Sequence, residues 1–534
     1  MSPNKKTILQ LGIAAALSLI ILAIPRPEGP RFEIAGDPEK KLLAEAQGIF
    51  RLPEQSEKTQ LVDGKKKVIY ELQAIAPGSP EATASWLKAK ANRMGLSSVS
   101  VDYVDGLSPK AHRFLAVIVF LVFLFVFEPV PLQITALCIA VLLVLTGMSG
   151  LKDAWAAYMH PVVVFIMSCL IYAIVLEKVG ITKRMGYFIA RKAGDSVTRF
   201  TFILACGLGL ASTVMHDAAA TAIAVSAMLP MMRAAGVKPH TNTARFMMLS
   251  LPFACSCGGM GTLIGGGRCM VSAAFLKEFT GIEITFLDWF VFAFPAALVT
   301  IPTAVAVVYF LYRPDPTIKL PKFDVETGPF TSAEKRAIGI LIIIMLVWLT
   351  KNWHGLDYSL TGPLGVAALV VSGVLTWDDI QEHLEWGTTL FIFGGGLALG
   401  LAMEGSGTAR YFASLFFPLV KGGGWLLLFA AIGVFGALVT NVMANVAAAA
   451  LIMPIALPLA VKEGVDPRII ALCLGMATSF AMILVIGCPP NAIAYSFKQF
   501  KAFDLTKAGL LATPILLGVL ILVSVIWWKL IGLV

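Results

Sequence analysis

The sequence predicts an all-α polytopic membrane protein built from inverted repeats, with a small α/β domain inserted near its start. Three observations carry this. The 534 residues are 57% hydrophobic and only 14% charged, whereas soluble domains hold about 25% charged residues. Apolar runs that approach or reach bilayer-crossing length, about 20 residues, recur at 8–24, 114–127, 132–148, 161–176, 289–312, 337–350, 361–375, 468–487 and 508–528. Landmarks in the second half repeat those of the first at nearly constant spacing. A β-barrel would show short alternating segments instead.

The run 8–24 follows Lys5 and Lys6 and ends in PRPEG without a small-residue cleavage pattern. It reads as a retained first span (domain 1–24) with the N-terminus in the cytoplasm. Residues 25–110 are polar. Within them DPEKKLLAEAQ (37–47) is helix-like, and TQLVDGKKKVIYELQA (59–74) alternates around an Asp-Gly turn, a hairpin pattern. SPEATASWLKAKANRMG (79–95) has the Ser, Pro and Gly punctuation of a helix, and SVSVDYV (98–104) reads as a last strand. A first span leaving the cytoplasm makes this insertion extracytoplasmic.

The net charge of +9 does not indicate nucleic acid, because Lys and Arg collect in the cytoplasmic loops of membrane proteins. All eight cysteines lie in or beside apolar segments and none lies in 25–110, which excludes a disulfide framework there. Cys255 and Cys257 lack further ligands at metal-binding spacing, and no nucleophile–base pair appears, so neither a metal centre nor an enzyme is expected. No organic cofactor is implied either.

The repeat is visible in three pairs. STVMHDAAATAIAVSAMLP (212–230) matches TNVMANVAAAALIMPIALP (440–458) at 440 − 212 = 228. MSCLIYAIVLEKVG (167–180) matches GGGLALGLAMEGSG (394–407) at 404 − 177 = 227, and TLIGGGRCMV (262–271) matches LVIGCPPNAI (484–493) at 486 − 264 = 222. These give repeat 1 at 111–312, a cytoplasmic linker at 313–335 and repeat 2 at 336–534. Lys183, Arg184, Arg191, Lys192 and Arg199 precede the first landmark, and Arg233, Lys238 and Arg245 follow it. Both flanks are basic, so 200–235 enters and leaves on the cytoplasmic side as a re-entrant hairpin. Its twin, about 424–460, opens to the opposite face, and the C-terminus is extracytoplasmic. Glycine and proline interrupt two further helices, about 243–280 and 468–497. Inverted repeats meeting at broken helices are the architecture of secondary transporters in a cytoplasmic membrane, with substrate near the midplane.

The hairpin tips and the breaks supply the candidate substrate site: His216, Asp217, Thr262, Gly265, Gly266, Gly267, Arg268, Thr440, Asn441, Asn445, Cys488, Pro489, Pro490 and Asn491. Half-helix N-termini favour an anion and freed carbonyls favour a small cation. At these residues the chain resembles the divalent anion:sodium symporters, carriers of dicarboxylates, citrate or sulfate. The resemblance rests on the two tips, FGGGLALG (393–400), GTLIG (261–265) and above all GCPPNAI (487–493). It covers roughly 8–24 and 106–534, and implies an elevator-type carrier that forms a homodimer. It also implies sodium between each tip and its neighbouring break, with Asp217, Asn445 and Asn491 as candidate ligands.

The departures are specific. Where the family has Ser-Asn-Thr, the tips read His216-Asp217-Ala218 and Ala444-Asn445-Val446; where it has Gly-Thr-Pro-Pro-Asn, the first break reads Gly266-Gly267-Arg268-Cys269 and the second has Cys488 in place of Thr. Ionisable groups inside a membrane cost about 2.5–3.5 kcal/mol each on insertion scales and point to function. Arg268 has two readings, a structural partner for Asp217 or a forked donor for an oxyanion. His216 is either a hydrogen-bonded tip residue or a proton switch. The leading reading is a secondary carrier of a small anion coupled by exchange or H+ rather than Na+. A cation/proton antiporter built on Asp217 and Asn445, and a non-transporting sensor or assembly protein acting through 25–110, are the alternatives.

Overall fold

In a computed structural model, residues 3–25, 31–35, 50–51, 57–62, 65–74, 89, 92–93, 100–104, 107, 109–191, 195–321, 328–420 and 422–534 are described. The first apolar run is a helix, Pro3–Ala23, that stops before Pro25. It lies along helix Pro109–Phe127: Ser18 Oγ donates to Ala116 O at 2.9 Å, and His112 Nε2 meets Ile21 O at 2.8 Å. Between them runs an antiparallel sheet of β1 (Arg31–Ala35), β2 (Phe50–Arg51), β3 (Glu57–Val62), β4 (Lys65–Ala74) and β5 (Ser100–Val104). The hairpin expected around Asp63-Gly64 is present, its last pair being Val62 with Lys65. The strand at 98–104 is also present, as β5, and β1 joins it to β4. β1 and β2 were not legible, being only five and two residues long and defined by pairing with β4. The helix expected at 37–47 lies outside the described residues, as does nearly all of that at 79–95.

The rest of the described chain is helical. Among the described residues four helices are long and apolar enough to cross a membrane: Leu151–Lys178, Phe286–Leu311, Asn445–Glu463 and Ala502–Leu530. One order of elements occurs twice. A helix pair (Val197–Ala211 with Asp217–Ala234) is followed by a broken helix (Asn242–Gly258, then Gly267–Thr280) and a long helix (Phe286–Leu311). The second set is Gly424–Thr440 with Asn445–Glu463, then Pro467–Ala477 and Pro489–Ser496, then Ala502–Leu530. The two sets exchange partners. Helix Gly267–Thr280 packs on Asn445–Glu463, and Pro489–Ser496 packs on Asp217–Ala234.

Local chemistry sets the outer helix ends. Thr285 with Asp288 and Thr331 with Glu334 form capping boxes. Gly281 and Gly464, both at φ 71°, supply the left-handed stop that a side chain would resist. Backbone contact sets the inner packing: a Cβ on Gly258 would sit 1.8 Å from Gly209 O, and one on Gly509 would sit 2.0 Å from Met482 O. The first glycine pair welds the first helix pair to the broken helix, and Gly509 lets the last helix touch the second break.

A separate group of helices, Pro161–Lys178, Ser332–Leu349 and Tyr358–Val371, is held by Trp348. Its ring packs edge-on against Phe165 at 5.1 Å while its Nε1 donates to Thr361 Oγ1 at 3.0 Å. Lys178 ties this group to the short helix Trp377–His383 through Asp379 at 2.5 Å.

Two outcomes follow from this packing. Gly258→Ala should abolish the folded yield on size exclusion in detergent, because backbone atoms cannot move away, whereas Gly339→Ala, with open space around it, should be neutral or stabilise by up to about 1 kcal/mol. Hydrogen bonds from Lys178, then Thr376, hold the Asp379 carboxyl down at about 2. Its folded pKa is depressed, so its contribution is present above the ordinary carboxylate value near 4 and is lost as pH falls toward 2. Amide protection over residues 377–383 should therefore fall across that window, and Lys178→Met should lower protection already at neutral pH.

Candidate substrate and ion site

Four helices begin at one place. The helices starting at Asp217, Gly267, Asn445 and Pro489 all direct their N-termini toward a cavity of 360 Å³. The first four N–H groups of a helix have no partner within it, and each N-terminus carries roughly +0.5 charge. At the first helix His216 is the cap, its ring Nδ1 accepting from Ala218 N at 3.3 Å. The other three have no side-chain cap, since Gly266, Ala444 and Cys488 stand at the capping positions. Gly267 and Asn445 thus begin helices whose first N–H groups face the cavity region without a capping side chain, whereas the fourth helix opens on Pro489 and Pro490, which carry no N–H, and presents its end only as a partial positive charge.

Arg268 occupies the centre. Its Nη1 donates to Asp217 Oδ2 at 2.9 Å, its Nε to Ser479 Oγ at 2.8 Å and its Nη2 to Ser256 O at 3.1 Å. The two charged side chains are 3% and 2% exposed, making this the most buried ion pair among the described residues. The pair with Asp217, one of the two readings open from sequence, is present in the structure. The guanidinium joins the first tip, the first break and the second break. Its acceptors are a carboxylate, a carbonyl and a hydroxyl, all oxygens of the kind that would ligate a small cation.

His216 Nδ1 also lies 3.2 Å from Asp217 Oδ1. One nitrogen cannot serve both neighbours at once. Unprotonated, it accepts from Ala218; protonated, it donates to Asp217.

The remaining candidates divide into two groups. His216, Asp217, Gly267, Arg268, Asn445 and Pro489 line the cavity. Thr262, Gly265, Gly266, Thr440, Asn441, Cys488, Pro490 and Asn491 do not line it, and the polar ones brace the backbone behind it. Thr262 donates to Thr213 O and accepts from Ile264 N at 3.2 Å and Gly265 N at 3.3 Å. Thr440 donates to Asn445 Oδ1 at 2.8 Å, and Asn441 accepts from Ile483 N at 2.7 Å. Asn491 donates to Ala481 O at 2.8 Å and Leu484 O at 3.0 Å, while its own Oδ1 is buried with no hydrogen-bond partner. Gly265 and Gly266 are required by contact: a Cβ there would meet Gly259 O at 2.7 Å and Arg268 at 2.8 Å.

Several site residues escaped the sequence reading. Ser256 and Ser479 hold Arg268, and the repeat offset could have paired them, since 479 − 256 = 223 matches the spacing of the breaks. Phe393 approaches Gly267 so closely that a Cβ there would sit 2.5 Å from the ring. Glu177, His383 and Glu385, which the sequence did not place at the site, line the cavity from its exposed side.

Removing one partner of a buried pair leaves an uncompensated charge. Arg268→Met should therefore lower stability by about 3–5 kcal/mol, measured by unfolding in detergent. Adding Asp217→Asn should recover most of the loss.

Comparison with known proteins agrees with this architecture. An uncharacterised transporter of Haemophilus influenzae is 26% identical over 446 residues, 79% of this chain and 92% of that protein. The sodium-dependent dicarboxylate transporter SdcS of Staphylococcus saprophyticus is 24% identical over 456 residues, 79% of this chain and 87% of that one. In fold the chain is similar to the YdaH transporter of Alcanivorax borkumensis, with TM-score 0.51 at 16% identity, over 70% of this chain and 86% of that one. Residues 98–534 match the family described as the sodium:sulfate symporter transmembrane region, and the chain therefore belongs to this family of multi-pass membrane transporters, which are not enzymes.

Proposed function

We propose that the chain is a secondary active carrier of a small anion in the cytoplasmic membrane, bound in the 360 Å³ cavity. The observation that carries this reading is the convergence of four helix N-termini there, three without side-chain caps. The relative named as a dicarboxylate transporter supports an anionic substrate. On this reading the helix pairs 197–234 and 424–463 are re-entrant hairpins of opposite orientation. They form, with the broken helices, a transport domain that slides past the group around Trp348 in a homodimer. The N-terminus and the 313–335 linker are cytoplasmic; the 25–110 insertion and the C-terminus are extracytoplasmic.

Coupling differs from two-sodium symport. Arg268 is a permanent cation among three oxygen acceptors of the first repeat and its neighbour, so no sodium is needed there. The unpartnered Asn491 Oδ1, in the second repeat, is the remaining candidate for a single cation. His216 offers a proton as the alternative coupling ion, through its two incompatible Nδ1 contacts. A cation/proton antiporter built on Asp217 is disfavoured, because that carboxylate already accepts from Arg268.

Counterflow of radiolabelled anions in proteoliposomes tests this. Exchange should keep at least about half its rate when choline replaces sodium, and any sodium stimulation should show a Hill coefficient near one. A coefficient near two, with no flux in choline, would overturn the coupling scheme; absence of flux for every anion would overturn the carrier reading.

A further inference from the structure

The charge and the walls of the cavity restrict what kind of anion fits. The positive side chain at its centre is already matched, Arg268 to Asp217 at 2.9 Å, so the pair adds no net charge. The attraction left for a ligand is that of the helix N-termini, each a partial charge confined to its first turn. One anionic group satisfies these donors. A second would lie near Asp217, Glu177 and Glu385, while Arg268, the one permanent side-chain cation there, is already paired.

The tips confirm the limit in their own chemistry. Ala218, Ala444 and Val446 flank the helix starts and line the cavity, and none offers a hydroxyl. Beyond them the wall is apolar: Ile174, Ile392 and Phe393 line it, the last two 7% and 5% exposed. Two carboxylates, Glu177 and Glu385, stand on its exposed side beside His383. They repel a dianion twice as strongly as a monoanion. The groups facing the bound anion are therefore His216, Asp217 and Arg268 inside and Glu177, His383 and Glu385 at the mouth.

From these features we infer that the carried substrate is a monoanion with an apolar body, its single acidic group at the helix N-termini and its hydrocarbon part against Val446, Ile174, Ile392 and Phe393. This rests on the anion-carrier reading and narrows it. Val446 is the specificity residue, since its methyls hold a position where a hydroxyl of the same shape would favour a second polar group.

The full-length protein in nanodiscs, titrated with alkanesulfonates from methane- to hexanesulfonate, tests the class. These ions stay charged at every working pH. Affinity should rise about fourfold per methylene until the cavity fills, and succinate, citrate and sulfate should bind at least tenfold more weakly than hexanesulfonate. Hexylammonium, with the same body and the opposite charge, should not bind. Val446→Thr should flatten the chain-length dependence and narrow the gap to succinate. Dianions that bind as tightly as hexanesulfonate, with no dependence on chain length, would overturn the monoanion class and leave the anion carrier standing. Equal binding of hexylammonium would mean partition into the bilayer and would also overturn it. Binding of neither anion series would remove the carrier reading itself.

Discussion

The guanidinium of Arg268 is the constraint around which the centre of this molecule is arranged. A charge that is 3% exposed is tolerated only when its hydrogen bonds are met and an opposite charge lies beside it. Here the partners come from three elements that are distant in sequence: Asp217 at the first tip, Ser256 ahead of the first break and Ser479 at the second. Fixing them fixes the relative placement of both repeats. The glycines at 259, 265 and 266 follow from this, because a Cβ at 259 or 266 would lie 2.8 Å from the same guanidinium and one at 265 would strike the backbone of 259.

Polar groups around the centre serve two purposes that the sequence alone does not separate. Threonine and asparagine at the breaks spend their hydrogen bonds on freed backbone. Thr262 and Asn441 are satisfied in this way, as irregular backbone within a membrane requires. The cavity receives instead the starts of helices whose capping positions hold Gly266, Ala444 and Cys488, the last opening on two prolines without N–H. At the periphery the opposite choice is made, with Thr285, Thr331 and Asp466 capping helices that meet no ligand. Convergence of helix starts on one cavity, more than the presence of any one polar residue, is thus the informative mark of the site.

This explains which features were legible in sequence. Helical class came through because hydropathy reports the solvent directly, and the repeat came through because tips and breaks keep their punctuation. Arg268 and Asp217 were conspicuous as charges in apolar runs, and their pairing was one of two readings. Ser256 and Ser479 were not legible, since serine beside a break is unremarkable until a donor is seen to reach it. Phe393 was hidden for the same reason: only the absent Cβ of Gly267 shows that a ring approaches there. Glu177 and Glu385 looked like helix-end and loop charges, and their membership in the cavity depends on tertiary placement. β1 and β2 are defined by pairing with β4, a long-range property that short strands do not advertise.

The two repeats are unequal in charge although alike in plan. His216, Asp217 and Arg268 all belong to the first, while the corresponding positions of the second carry Ala444, Asn445 and Pro490. In the first half the Arg268 and Asp217 charges are matched to each other at 2.9 Å. The second half also keeps, among the described residues, the one buried amide oxygen at a break without a hydrogen bond, Asn491 Oδ1. An unmet acceptor in such a position carries a desolvation cost of about 1–3 kcal/mol, and binding a cation or a water there would relieve it. The asymmetry therefore places the ionisable groups in one half and the unmet neutral acceptor in the other.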